Sequence, residues 1–196
     1  DYSSVKNKTV LMGRKGGMPA MILEYVLGKK GLVAGRDYTA DYSIQFGALA
    51  PAFTGGTGDF VPLFEPTASQ METEGKGYIV ASIGLDSGEI PYTCYTATDS
   101  FLKNNPEKVT SFLRAVWKGT EYALTHSAKE VAQTVSPYFD GTPIELLEKA
   151  IANYQACDVW TTSPVLSKDA YNRLLDVMQN AGELEKRVDY DLIADN

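Results

Sequence analysis

The clearest pattern of apolar and polar positions lies in residues 8–32, KTVLMGRKGGMPAMILEYVLGKKGL. Thr9–Met12 form a short apolar run bounded by polar and turn residues, which is typical of a buried parallel strand. A glycine-rich turn follows, and from about Met18 apolar residues recur at helical spacing until Gly28. The pattern predicts a strand, a glycine-rich turn and an amphipathic helix in direct succession.

Three more strands are predicted before Gly84. Tyr38–Tyr42 alternates apolar and polar residues, while Asp59–Phe64 and Tyr78–Ile83 are apolar runs bounded by glycine or proline. Short helices are predicted between these strands. Because strands and helices alternate, we expect a mainly parallel sheet with right-handed crossovers.

The character of the sequence changes after Gly84. Tyr92–Ala97 predicts one more strand, and apolar positions then recur at helical spacing through most of the remaining chain. The predicted helices begin near Ser100, at Pro106, at Ser127, at Thr142 and at Ser167, the last ending near Ala181. The sequence therefore predicts an α/β part followed by a mostly helical part.

Composition narrows the possible functions. The chain has 196 residues, of which 44% are hydrophobic and 22% are charged, as in ordinary globular domains. A net charge of −7 argues against nucleic-acid binding, which favours a basic surface. His126 is the single histidine, and Cys94 and Cys157 show no local spacing pattern. We therefore expect no metal, no cofactor and no histidine-based catalysis.

The glycine-rich turn is the first candidate site. Backbone N–H groups of Gly16, Gly17 and Met18 are expected to lie unpaired at the start of a helix, where they favour an anionic or strongly polar ligand. Arg14 and Lys15 would add positive charge. The segment GRKGGM matches neither a dinucleotide-binding nor a Walker motif. The alternative is that the glycines serve only the geometry of the turn.

Strand ends supply weaker candidates. Glu65 follows a predicted strand, but no partner acid, base or nucleophile accompanies it, so it is either a solvated carboxylate or a ligand contact. Phe64 and Tyr92 also lie near strand ends, where open α/β sheets bind ligands, although aromatic residues there are also common in cores. Because no catalytic set is present, we expect binding without chemistry.

Three segments together resemble a known family. They are residues 8–32, FTGGTGDFVPLFEPTAS and YTATDSFLKNNPEKVTSFLRAVWKGTEYA. The second matches a G-x-x-D-A-x-x-x-x-E-P pattern from Gly56 to Pro66, with Phe60 in place of alanine. The third matches an S/T-x-x-F-L-x-x-N-P-E-x-V pattern ending at Val109. In this order they resemble the substrate-binding proteins of ABC importers, in the branch that binds nitrate, sulfonates, taurine and thiamine-pyrimidine precursors.

The resemblance implies a periplasmic-binding-protein-like α/β fold: two lobes that close like a clamshell on a solute. Residues 1–90 would be the second lobe, and residues 91–196 a crossover strand and helices of the first lobe. The family's opening portion has no counterpart in this sequence, so the exposed faces are expected to self-associate. The implied partners are a membrane permease and an ATPase, and the implied location is extracytoplasmic, either periplasmic or lipid-anchored.

The resemblance also implies a site for a small polar or anionic solute, with a hinge near Ile90–Thr93. The expected ligand-binding residues are Arg14, Gly16, Gly17, Met18, Phe64, Glu65 and Tyr92. Two other functions stay open. A pyrimidine-precursor synthase on the same fold would need a dedicated histidine and a cysteine cluster. A ligand-sensing lobe of a regulator would need a further domain.

Overall fold

A computed structural model describes residues 1–194. The chain divides into two compact units, one formed by Asp1–Ile90 together with the segment from Ser167 onward and the other by Pro91–Leu166. In chain order the strands and helices are β1 (Thr9–Leu11), α1 (Met18–Lys29), β2 (Thr39–Asp41), α2 (Leu49–Thr54), α3 (Thr67–Thr73), α4 (Ile83–Ser87), α5 (Asp99–Asn104), α6 (Pro106–Thr125), α7 (Ala128–Val135), α8 (Ile144–Ala156) and α9 (Lys168–Asn180). Short 3-10 helices lie at Tyr2–Val5, Phe46–Ala48, Ser136–Tyr138 and Tyr190–Leu192.

The first unit is built around a small parallel sheet. β1 and β2 pair in parallel, with Thr9 opposite Thr39 and Leu11 opposite Asp41. Phe60 forms a parallel bridge with Val10, in which Leu11 N donates to Phe60 O at 2.8 Å. Because alternate residues of β1 bond to β2 and to Phe60, β1 lies between its two neighbours.

The core of this unit lies between the sheet and α1. Val10, Leu11 and Met12 are almost completely buried, which explains the apolar run in the sequence. α1 contributes one buried face, and residues before and after it complete the cluster. Its buried members are Val5, Val10, Met12, Ala20, Leu23, Leu27, Leu32 and Tyr38.

The second unit is helical. Its core is formed where α7 packs on α8, through Val131, Ala132, Leu147 and Ile151. Ser127 caps α7 and exchanges hydrogen bonds with Glu130 in a capping box. The sequence predicted a helix that begins at Ser127, and the long helices of this unit lie where they were expected.

The mixed α/β fold with a parallel sheet confirms the predicted class, but two of the predicted strands are wrong and a third is reduced to a single bridge. Asp59–Phe64 gives only the bridge at Phe60, and Tyr78–Ile83 and Tyr92–Ala97 form no strand within residues 1–194. Tyr78 is 85% exposed and Tyr95 is 69% exposed. A strand needs a neighbouring strand for its N–H and C=O groups, and no described segment pairs with either run. Local apolar pattern cannot reveal whether such a partner exists.

Candidate functional site

The carboxyl ends of β1, β2 and the Phe60 segment meet at one edge of the sheet, because the three segments are parallel. After β1 the chain passes through α1 to β2, which lies on one side of β1 in the sheet. After β2 it passes through α2 to Phe60, which lies on the other side of β1. The two connections therefore run in opposite directions from β1. In open α/β sheets, ligands bind beyond the carboxyl ends of the strands at the place where the connections change direction in this way.

A glycine-rich turn leaves this edge directly after β1. Gly13 and Gly16 have φ values of +78° and +73°, which an L side chain rarely adopts. Gly17 caps α1, and its N–H donates to Arg14 O at 3.0 Å. The prediction that this N–H is unpaired is therefore wrong, because it closes the turn. The N–H groups of Gly16 and Met18 make no hydrogen bond to another residue of the described chain.

Two aromatic rings lie beside this turn. A Cβ added to Gly13 would lie 3.5 Å from the ring of Phe46, so the ring covers the turn. Phe46 in turn contacts Phe64, with ring centroids 4.9 Å apart and planes at 41°. Phe64 is 44% exposed, which leaves apolar ring surface open at the edge of the sheet. The sequence did not single out Phe46, although its place soon after a predicted parallel strand was an available signal.

Glu65 lies at the same edge but has a structural role. Its carboxylate accepts hydrogen bonds from Ser69 N at 3.0 Å and from Ser69 Oγ at 2.9 Å. Ser69 is completely buried, so these bonds satisfy polar groups that water cannot reach. Glu65 is joined to Pro66 by a cis peptide bond. Its carboxylate therefore fixes the start of α3.

A second carboxylate, that of Glu183, contacts the glycine turn. A Cβ added to Gly16 would lie 2.7 Å from Glu183 Oε1, so only glycine admits the carboxylate here. The contact depends on the end of α9, which packs against α1. There Gly182 has a φ of +76° and Glu183 N donates to Met178 O at 2.9 Å, as in a Schellman motif. No local pattern relates two residues so distant in sequence.

Other charged groups near this edge have perturbed pKa values. Burial raises the pKa of Glu24, while the positive charge of Lys15 opposes the rise. Tyr42 donates a hydrogen bond to the Glu24 carboxylate. At the end of β2, hydrogen bonds from the side chain and backbone of Ser43 lower the pKa of Asp41. Negative charge is therefore fixed at the end of β2.

The remaining predicted residues are separate from this arrangement or add little to it. The Arg14 side chain is exposed and marks the outer side of the turn. Tyr92 belongs to the second unit, where it is 49% exposed and burial raises the pKa of its hydroxyl. Within residues 1–194 no group of three or more metal-ligating side chains could hold an ion. No helix in that range has the length and apolar character needed to cross a bilayer.

Comparison with known proteins relates this architecture to one family. Residues 2–130 match the family described as "NMT1/THI5 like". The chain is 39% identical over 190 residues to "Putative binding protein YtlA" of Bacillus subtilis (strain 168), and the alignment covers 97% of this chain. It covers 57% of that relative, so the chain spans little more than half of the relative's length.

Shorter similarities extend to yeast. Two proteins of Saccharomyces cerevisiae (strain ATCC 204508 / S288c) are named 4-amino-5-hydroxymethyl-2-methylpyrimidine phosphate synthase THI12 and THI5. Each is 36% identical to this chain over 69 residues, which is 35% of this chain and 19% of the yeast protein.

Proposed function

The chain belongs to the NMT1/THI5-like family, and we propose that it is the solute-binding component, or part of it, of an ABC importer. The observation that supports this most directly is the carboxyl edge of β1, where a glycine turn, a helix start and an aromatic pair meet. Apolar ring surface beside a few convergent polar groups is typical of small-molecule binding sites. The relative that aligns with 97% of the chain is itself named as a binding protein.

In this proposal the solute lies against the turn and the aromatic pair. The Gly16 and Met18 N–H groups would donate to an acceptor on the solute, and the exposed ring of Phe64 would cover its apolar part. The Glu65 carboxylate would contribute through its support of α3. Arg14, Gly17 and Tyr92 stay proposed contacts.

The Glu183 carboxylate bears on the charge of the solute. It lies where a ligand's anionic group would approach Gly16, and like charges a few ångströms apart repel each other. We therefore expect a neutral or amine-bearing polar solute to bind better than nitrate or a sulfonate. In Glu183→Gln the preference should move toward anions, whereas Glu185→Gln, which removes the same charge from another exposed position, should not change it.

Thermal-shift screening against sulfonates, nitrate, pyrimidines, amino acids and polyamines tests the proposal. A bound solute stabilises the folded protein by RT ln(1 + [L]/Kd), about 2.7 kcal/mol at a hundredfold excess over Kd. Phe64→Ala should abolish the shift. Phe139→Ala is the matched control, because Phe139 is 42% exposed but belongs to the helical unit. If no class raises the melting temperature, or if both variants lose the shift equally, the proposed site is refuted.

A role in an ABC importer implies where the protein acts and which partners it has. The protein would act outside the cytoplasm, in the periplasm or attached to the membrane by a lipid, and would deliver solute to a permease driven by an ATPase. Fractionation of cells that express the natural gene tests the location. Recovery only with cytoplasmic marker enzymes would contradict this part of the proposal.

Self-association is also proposed. Within residues 1–194, Tyr78–Ser82 and Tyr92–Ala97 lie outside the sheet and carry exposed apolar side chains, and exposed apolar surface of this kind tends to associate with another chain. A second copy of this chain is the expected partner. Sedimentation velocity over a tenfold or larger concentration range should show a dimer. A strictly monomeric species at the highest concentration would contradict the idea.

One alternative is favoured by a specific observation, the 69-residue similarity to the yeast synthases. Under this alternative the chain would form a pyrimidine phosphate. Within residues 1–194 the two cysteines are separate free thiols and the one histidine is far from the glycine turn in sequence. Formation of 4-amino-5-hydroxymethyl-2-methylpyrimidine phosphate by the purified chain would establish the alternative and displace the binding proposal.

A further inference from the structure

A cavity of about 330 Å³ lies in the helical unit and has no part in the proposed solute site. It is formed where the end of α6 and the start of α7 meet the segment that follows α8. Leu124, His126, Gln155, Asp158, Val159 and Trp160 are among the residues that line it. The volume lies at the lower end of the range for small-molecule sites.

The walls of this cavity are held in place by hydrogen bonds. Gln155 Nε2 donates to Ala123 O and to His126 O, both at 2.9 Å, and so ties α8 to the carbonyl end of α6. The His126 ring stacks on Tyr122 with centroids 3.7 Å apart. The Trp160 indole packs on the core of α7 and α8 and meets Tyr154 edge to face, with centroids 6.1 Å apart. An indole supported in this way has a defined orientation.

The charge of the lining is negative. Asp158 is the carboxylate that lines the cavity, and no lysine or arginine is among the lining residues. Asp158 has a φ of +53°, a backbone conformation that holds it in a tight turn after α8. Its carboxylate makes no hydrogen bond or ion pair with any other residue in the described part of the chain. Asp158 is exposed and has no cationic partner within residues 1–194, so its negative charge is available to a ligand that lies beside the indole.

A carboxylate beside an indole is the combination that recognises organic cations. The carboxylate attracts the positive charge, and the face of a tryptophan ring is the best aromatic surface for a cation. An anion would be repelled by Asp158, and a purely apolar molecule would make no favourable contact with the Asp158 carboxylate. We propose that this cavity is a second binding site, specific for a small alkylammonium cation.

Fluorescence titration tests the proposal. Trp117→Phe leaves Trp160 as the single tryptophan, and this variant is titrated with tetramethylammonium chloride against sodium chloride at matched ionic strength, at pH 8. A saturable change in Trp160 fluorescence is expected with tetramethylammonium alone. In the same background Asp158→Asn should weaken binding at least fivefold, while Asp140→Asn, which removes an exposed carboxylate elsewhere in the unit, should leave it unchanged.

Several outcomes would overturn the proposal. They are the absence of a saturable change, an equal change with sodium, and an equal loss in the Asp158→Asn and Asp140→Asn variants. If Trp117→Phe does not fold, the indole N–H signal of Trp160 in the NMR spectrum of the unsubstituted chain gives the same measurement. Because Phe64→Ala lies in the other unit, it should not affect this binding, so failure of either site is distinguishable from failure of the other.

Discussion

Gly58→Ala is predicted to destabilise the protein far more than an ordinary glycine-to-alanine substitution. Gly58 has a φ of +73°, and it directly precedes the segment that bonds to β1 through Asp59 N and Phe60 N. A Cβ at this position would lie 2.8 Å from Leu11 Cδ2 and Cγ. Leu11 is completely buried, so it cannot move aside freely. The substitution therefore perturbs both the backbone of the turn and the central strand.

The magnitude has two parts. Holding a non-glycine residue in the left-handed region costs about 1–2 kcal/mol. Forcing an extra methyl group against a packed core residue costs typically 1–3 kcal/mol more. We therefore expect Gly58→Ala to lower the free energy of unfolding by about 2–5 kcal/mol. Gly31→Ala is the matched control, because Gly31 has a φ of +77° but nothing within 4 Å of the added Cβ.

Urea denaturation followed by far-UV circular dichroism measures both variants. The control should lose only the conformational part, about 1–2 kcal/mol. The difference between the two variants then isolates the contact with Leu11. If Gly58→Ala and Gly31→Ala lose the same stability within about 0.5 kcal/mol, the contact has no energetic consequence and the packing of the third segment on β1 is not as described.

Three other changes follow from single contacts. Ser127→Ala removes the capping box of α7 and should lower the free energy of unfolding by about 1 kcal/mol. Urea denaturation followed by tryptophan fluorescence measures the loss, since both tryptophans lie in that unit. Unchanged stability would show that the cap does not stabilise α7. Glu65→Ala removes the carboxylate that accepts hydrogen bonds from Ser69 N and Ser69 Oγ and should cost about 1–3 kcal/mol, seen as a lower melting temperature that Glu65→Gln partly restores. The pKa of Asp41 is lowered from 3.8 in the folded protein, so its contribution to the free energy of unfolding is present above that pH and is lost as the pH falls through the lower folded pKa. Asp41→Asn should therefore flatten the acid side of a plot of unfolding free energy against pH. An unchanged plot would contradict this.

Much of the fold was predictable because the signals are local. The strand, turn and helix in residues 8–32 are confirmed, since apolar spacing and glycine positions act within a few residues. The helices that begin at Pro106 and after Ser127 and Ser167 follow from start signals of the same kind. The position of β1 between β2 and the Phe60 segment follows once Phe60 is known to pair with β1.

Other features were not predictable from local signals. Tyr78–Ile83 has the composition of a strand but no described neighbour to pair with, because pairing depends on which segments the fold brings together. The hydrogen bonds from Ser69 turn Glu65 from a candidate ligand contact into a support of α3. Gly17 likewise uses its N–H within the turn.

The sequence by itself determined the class of fold, the position of the glycine turn and the family. Only the tertiary structure brought the Glu183 carboxylate against Gly16 and the ring of Phe46 against that of Phe64. It also placed Asp158 and Trp160 around one cavity with the end of α6. The physical reason is the range of the interactions: hydrophobic spacing and capping act between residues near in sequence, whereas charge and ring contacts act between residues near in space. Binding sites depend on contacts between residues that are near in space, so their chemistry can be identified only in the folded chain.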